Sequence, residues 1–401
     1  MQKQKKTATA QMSQPRNKTT PTRAFFIWEQ KSYGNLILSM YNSVEIKGNY
    51  TLKKFCVFCG NTPENKNKEH VLPQWLSKYT GRYHSICEMG DITNAKIPFC
   101  ALTFPACTKC NEEFGRMEAA VKPILMDLME SKPLNASQIS LLLDWFDKIR
   151  VGLWLSELTL SKQVDKIEPK FHIADRVGIK DRVLIIERIK DAGQGLSFIG
   201  TDAPLFYEMP SAFALVVNDF VFINASEIGL VSNRLGFPQV GKMKMTQNRD
   251  QQIMELSSGR NKTAHPVVSD IQASPNRTIV YQPMYRWYPA FAETPQFQVP
   301  YVLNLSLDYA NGVGGIFYQR GDNQIKYLSG DGSVSLAPRP QDMSRMPDLC
   351  ADVFKLQSYV LTSRTDIDSY TKIGSAFWRK LLMQNQVLQA QSKKIQFQRQ
   401  K

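Results

Sequence analysis

Two short cysteine pairs constrain this chain more than any other feature. Cys56-x-x-Cys59 and Cys107-x-x-Cys110 stand with 47 residues between them. Two residues between paired thiols let both sulfurs turn toward one ion, and four thiolates satisfy the tetrahedral preference of Zn²⁺. The pattern predicts one shared, closed zinc site held by Cys56, Cys59, Cys107 and Cys110. The competing reading is two unrelated pairs, one of them redox-active, but neither pair sits in the βαβ context of a thioredoxin-like motif. The chain has 7 cysteines in 401 residues and no apolar export signal near its N-terminus, which favours metal chemistry over structural disulfides. Cys87, Cys100 and Cys350 read as small buried thiols.

The text around the pairs supports a compact module. "RYHSICEMGDITNAKIPFCALTF" reads as two strands about a turn at Gly90-Asp91, and "NEEFGRMEAAVKPILMDLMES" reads as a helix with the second cysteine pair at its start. A knuckle, a hairpin and then ligands at a helix N-terminus make a treble-clef arrangement. Such a module has little core of its own, so the metal would stabilise it.

The whole chain reads as α+β. Residues 1–23 are a basic, polar tail expected to be disordered, and 24–54 a lead-in segment. Residues 55–130 form the zinc module, 135–165 a helical connector, 170–385 a β-rich α+β domain with a recognition or regulatory role, and 386–401 a second basic tail. In the connector, Leu141, Leu142, Trp145, Ile149, Leu153 and Trp154 recur at helical spacing, with Asn135 or Ser137 as N-cap. Gly152 would bend that helix or admit a neighbour. "FALVVNDFVFINA" reads as a hairpin turning at Asn218-Asp219, and "GIFYQRGDNQIKYLSG" repeats the pattern. Residues 240–278 are polar and read as long loops. A last helix is expected over 367–390. No apolar run reaches the length of a membrane span, so a cytoplasmic protein without membrane contact is expected.

Net charge is +14, but residues 1–54 carry +8 and the last sixteen +4, leaving the middle near neutral. Basic ends suit non-specific attraction to a polyanion; a solubilising role explains them equally well.

One histidine of the four has an unusual setting: Glu69-His70 follows the first cysteine pair by ten residues. The text "CVFCG…KEHVLPQWL…CTKCNEEFGRME" resembles the HNH endonucleases, the ββα-metal or His-Me finger nucleases whose module is stapled by a Cys₄ zinc. Glu-His-x-x-Pro, His70 to Pro73, and Asn111 directly after the second knuckle carry the likeness, over about 55–118. The resemblance implies phosphodiester hydrolysis, of DNA more than of RNA, leaving a 3′-hydroxyl and a 5′-phosphate. It implies His70 as the general base that activates water. It also implies Glu69 and Asn111 as hard oxygen ligands of a catalytic Mg²⁺ or Mn²⁺. The middle Asn of the family motif has no counterpart in "ALTFPAC"; Thr103 or the more distant Asn94 would have to substitute for it. Glu118, seven residues after Asn111 on the same helix face, reads as a packing carboxylate, with a ligand role as the second reading. Such modules recur in mobile elements and in bacterial defence against phage. The alternative is a non-catalytic treble-clef zinc protein that binds nucleic acid or a protein partner.

Overall fold

The computed structural model describes residues 23–29, 56–62, 67–89, 95–160, 173–231, 235, 240–248, 251–258, 273–286, 300–363 and 372–394. Most of the expected N-terminal tail and lead-in, and Asn94, therefore lie outside the described residues. Strand β1 (Arg23–Glu29) is the exception and pairs antiparallel with a strand far along the chain.

The centre is a seven-stranded, wholly antiparallel sheet, β17-β16-β13-β7-β10-β9-β8. Its strands are β7 (Asp181–Arg188), β8 (Leu196–Ile199), β9 (Ala212–Val217), β10 (Phe220–Glu227), β13 (Arg277–Gln282), β16 (Phe317–Arg320) and β17 (Lys326–Tyr327). Both expected hairpins are present: β9 and β10 join through Asn218, whose φ is 54°, and β16 pairs with β17. Every residue of β10 is buried. Because strand side chains alternate between faces, its residues serve two cores. Phe220 and Phe222 join one apolar cluster, while Val221, Ile223 and Ala225 join another.

The second cluster is closed by α6 (Met346–Ser363), through Leu349, Val353, Leu356 and Val360. No such helix was expected, although these four residues recur at helical spacing. Gly200, at φ 87°, is where α6 crosses the sheet: a Cβ there would lie 2.5 Å from Val353 and 2.9 Å from Gln357. Gln357 uses the space to donate to the Gly200 and Ala212 carbonyls at 2.8 and 2.9 Å. Polar ties complete the layer, with Arg277 bridging Glu187 of β7 and Asp352 of α6, both at 2.5 Å. Helix α7 (Lys372–Ser392) packs on α6, with Asn385 donating to the Phe354 carbonyl at 2.6 Å. It runs past residue 386, where a tail was expected, because Leu388 and Ser392 continue its packed face.

A second correction concerns 240–278. Here β11 (Val240–Asn248) and β12 (Gln251–Ser258) pair with each other, and β12 also pairs with β1, in a three-stranded sheet. Lys242-Met243-Lys244-Met245-Thr246 alternates with the strand period, and its apolar partner is methionine rather than a β-branched residue.

The first cluster includes the apolar residues of the four-cysteine module. The module contains β2 (Lys68–His70), the short helix α1 (Gln74–Tyr79), β3 (Ile86–Met89), β4 (Ala95–Pro98), β5 (Thr103–Pro105) and α2 (Thr108–Met129). Next come β6 (Pro133–Asn135) and the connector helix α3 (Ala136–Leu160). One continuous apolar cluster runs from Cys56 and Phe58 through Trp145 and Phe146 to Phe222 of the sheet. The module thus shares its core with α3.

Asn135 is the cap of α3. Its Oδ1 accepts from the Gln138 N–H, and Gln138 Oε1 accepts from the Asn135 N–H, both at 2.9 Å. This reciprocal pair is a capping box. Asn135→Ala is expected to cost about 1 kcal/mol, read as a lower denaturant midpoint at unchanged slope. At Gly152 a Cβ would meet Phe104 at 3.3 Å and Val71 at 3.4 Å, so this glycine admits the module against α3.

Candidate metal centre and the histidine beside it

The first knuckle turns at Gly60, φ 76°, where the Gly60 N–H donates to the Cys56 carbonyl at 2.8 Å. Val57 N–H donates to the Pro105 carbonyl at 3.1 Å, docking the knuckle on β5. Cys107 then caps α2 and Cys110 lies in its first turn. The sulfurs of Cys56, Cys59, Cys107 and Cys110 all lie within 4.8 Å of one another. Cys59 and Cys107 sulfurs are 3.7 Å apart. That is too far for a disulfide and matches the edge, about 3.8 Å, of a tetrahedron built on Zn–S bonds of about 2.3 Å. Three of the four thiols are buried, as in a closed site. The four residues fit a zinc ion, and among the described residues no other His, Cys, Asp or Glu group of that size does so.

Burial pushes the Cys56 and Cys110 thiols above their ordinary range. Burial acts the same way on Cys107, but hydrogen bonds from the Cys110 N–H and the neighbouring thiols outweigh it and hold Cys107 low. A metal must therefore displace protons from this cluster to bind.

The expected hairpin β3–β4 exists, but it is not the pair that frames the site. β2 pairs with β5, setting Glu69 opposite Phe104 and His70 opposite Thr103. The order is strand, insert 71–102, strand, then helix α2. Thr103 is thus the direct cross-strand partner of His70.

The strand period separates Glu69 from His70. His70 is partly exposed; its Nε2 lies 3.2 Å from the Cys100 carbonyl and 3.3 Å from the Gln74 amide. A carbonyl only accepts, so with Nε2–H donating to Cys100 the Nδ1 atom keeps its lone pair. The Gln74 amide nitrogen is itself a donor and cannot bond the same protonated atom, so it is a neighbour of the ring and not a second anchor. Burial lowers the His70 pKa from its ordinary value, more than the Cys100 carbonyl and Glu69 raise it.

Glu69 points the other way and is 5% exposed. It meets Lys148 of α3, whose Nζ lies 2.9 Å from Glu69 Oε1, 2.5 Å from Glu118 Oε1 and 3.0 Å from the His70 carbonyl. Lys148 is fully buried. Burial alone would strip its proton; the two carboxylates reverse that and keep the ammonium charged. Burial, more than the nearby Glu69, pushes the Glu118 pKa up. Asn111 sits one turn into α2, where its amide nitrogen donates to Asn67 Oδ1 at 3.1 Å and to the Lys68 carbonyl at 3.2 Å. The Asn111 amide oxygen and the second Glu69 carboxylate oxygen take no part in these hydrogen bonds.

Lys148 carries no role in the sequence reading. Its signal was the run Asp144, Asp147, Lys148, Arg150 inside an otherwise apolar helix. Asp147 and Arg150 face the sheet instead: Arg150 is 2.9 Å from Asp147 and from the Pro210 carbonyl, and Arg182 pairs with Asp144 and Asp147. Among the described residues no helix is long and apolar enough to cross a membrane. No family model, curated protein or solved structure matches the chain, so the geometry of this site carries the functional reading.

Proposed function

We propose that the chain is a metal-dependent endonuclease of the HNH type, with a treble-clef zinc module and with DNA favoured over RNA as substrate. The observation that carries the reading is His70: its ring is anchored through Nε2, and Nδ1 is left as a base, beside a four-cysteine cluster. In this reading His70 Nδ1 takes the proton of the attacking water. The Cys100 carbonyl holds the ring, and Thr103 and the β2–β5 ladder hold its backbone. Glu69 and Asn111 would hold Mg²⁺ or Mn²⁺, which when bound would stabilise charge on the scissile phosphate and leaving oxygen. Zinc at the cysteines would be structural. A setting in prokaryotic defence or in a mobile element would suit such a nuclease.

The test is incubation of purified protein with supercoiled plasmid, single-stranded DNA and RNA, with Mg²⁺ or Mn²⁺ and with EDTA. Nicked or linear products bearing 3′-hydroxyl ends, absent with EDTA, are expected. Cleavage that persists in EDTA would remove the catalytic cation from the reading.

Because burial lowers the His70 pKa, the base is neutral and active down to a pH below its ordinary value of about 6.5. Activity should therefore be full at neutral pH and fall only as the pH drops through that lowered pKa. A bound cation nearby pushes the same way. A rate profile whose acid limb lies above pH 7 would contradict this assignment.

A second reading is a zinc protein that binds nucleic acid or a protein partner without cutting. One observation favours it: the Glu69 carboxylate is buried and already neutralised by Lys148. Retention of DNA in a gel shift, with no cleavage under any cation, is its expected outcome.

A further inference from the structure

We propose that Lys148 is the positioning residue of this site, its ammonium holding the backbone of His70 and the carboxylate of Glu69 in one arrangement from helix α3. The inference rests on the reading of His70 as the base. An ammonium has three N–H donors, and here each has an acceptor: Glu69 Oε1, Glu118 Oε1 and the His70 carbonyl. Those acceptors span two elements of the module, β2 and α2, while the lysine belongs to α3. The β2 contacts fix a side-chain rotamer at Glu69 and a peptide plane at His70. His70 is then pinned from both ends, its ring by the Cys100 carbonyl of the insert and its own carbonyl by Lys148 of α3.

The charge argues for a role beyond packing. A buried ion pair is commonly replaceable by apolar residues without loss of stability, because desolvation offsets the attraction. Packing alone does not call for a lysine with two acids at a fully buried position. What a three-coordinate ammonium supplies and an aliphatic chain does not is direction: one geometry at the strand that carries the base. The same helix reaches the sheet through Asp147 and Arg150, so the site's geometry is referred to the large domain.

The experiment uses the full chain as wild type, Lys148→Met, Glu118→Gln and the double variant Lys148→Met/Glu118→Met, each checked for zinc content and cooperative melting. ¹⁵N chemical shifts of the His70 ring, assigned with His70→Ala, report the tautomer. With only four histidines in the chain the assignment is tractable. Wild type and Glu118→Gln should show well-separated shifts of a single Nε2–H tautomer. Lys148→Met should show shifts moved toward the average of two tautomers, with kcat lower by about 100-fold and KM changed by less than about threefold. If Lys148→Met does not fold, the double variant, which also removes one of the two carboxylates, carries the same readouts. A folded, zinc-loaded variant lacking Lys148 but with wild-type His70 shifts and kcat would make Lys148 a structural ion pair only, and the proposal would fall. A wild type that cuts nothing would remove the nuclease reading, and the ¹⁵N shifts alone would then decide whether Lys148 positions His70.

Discussion

Replacing His70 with alanine is expected to lower cleavage by about 10²–10⁴-fold, the usual contribution of a positioned general base. The zinc content should not change, because His70 is no part of the four-thiol cluster. Stability should change little, since the partly exposed ring makes one hydrogen bond, to the Cys100 carbonyl, and does not belong to the buried apolar cluster. Single-turnover cleavage of the substrate found for the wild type, beside metal analysis of both proteins, makes the comparison. The loss should fall on kcat rather than KM, because the imidazole acts on water in the transition state and does not bind the ground state. A zinc-loaded His70→Ala protein that cuts at the wild-type rate would end the mechanism proposed here.

The second large effect concerns the zinc that the four thiols would hold. Cys110→Ser should take the protein from one zinc per chain toward none and lower its melting temperature. A strong chelator should do the same to the wild type. Structural zinc supplies about 10–16 kcal/mol to isolated zinc-finger peptides. The loss here should be smaller, because Phe58 packs against both Phe104 and Phe114 and all three join the cluster shared with α3. Zinc uptake should weaken as pH falls, since Cys56 and Cys110, raised by burial, must give up protons to bind. Full zinc occupancy in Cys110→Ser, or a zinc-free wild type with unchanged melting, would show that the four thiols are not a metal site.

Much of the fold was legible because periodic burial writes itself into local text. α3, both hairpins of the large sheet and the helix after the second cysteine pair follow from spacing over a few residues. The misses have local causes too. The methionines of β11 hid a strand, α6 carried a readable stripe that was not read, and α7 continues past the point where charge suggested a tail.

At the site, the sequence alone determined which atoms are present. It placed two thiol pairs with a bite that suits one ion, and an acid beside a histidine between them. Only the tertiary structure decided what those atoms face. Strand pairing of β2 with β5, rather than the neighbouring β3–β4 hairpin, sends His70 outward and Glu69 inward, because successive strand side chains take opposite faces. The partner of Glu69 lies 79 residues away on α3. No local spacing encodes a contact of that range; it exists because α3 packs its buried charges against the module on one side and the sheet on the other.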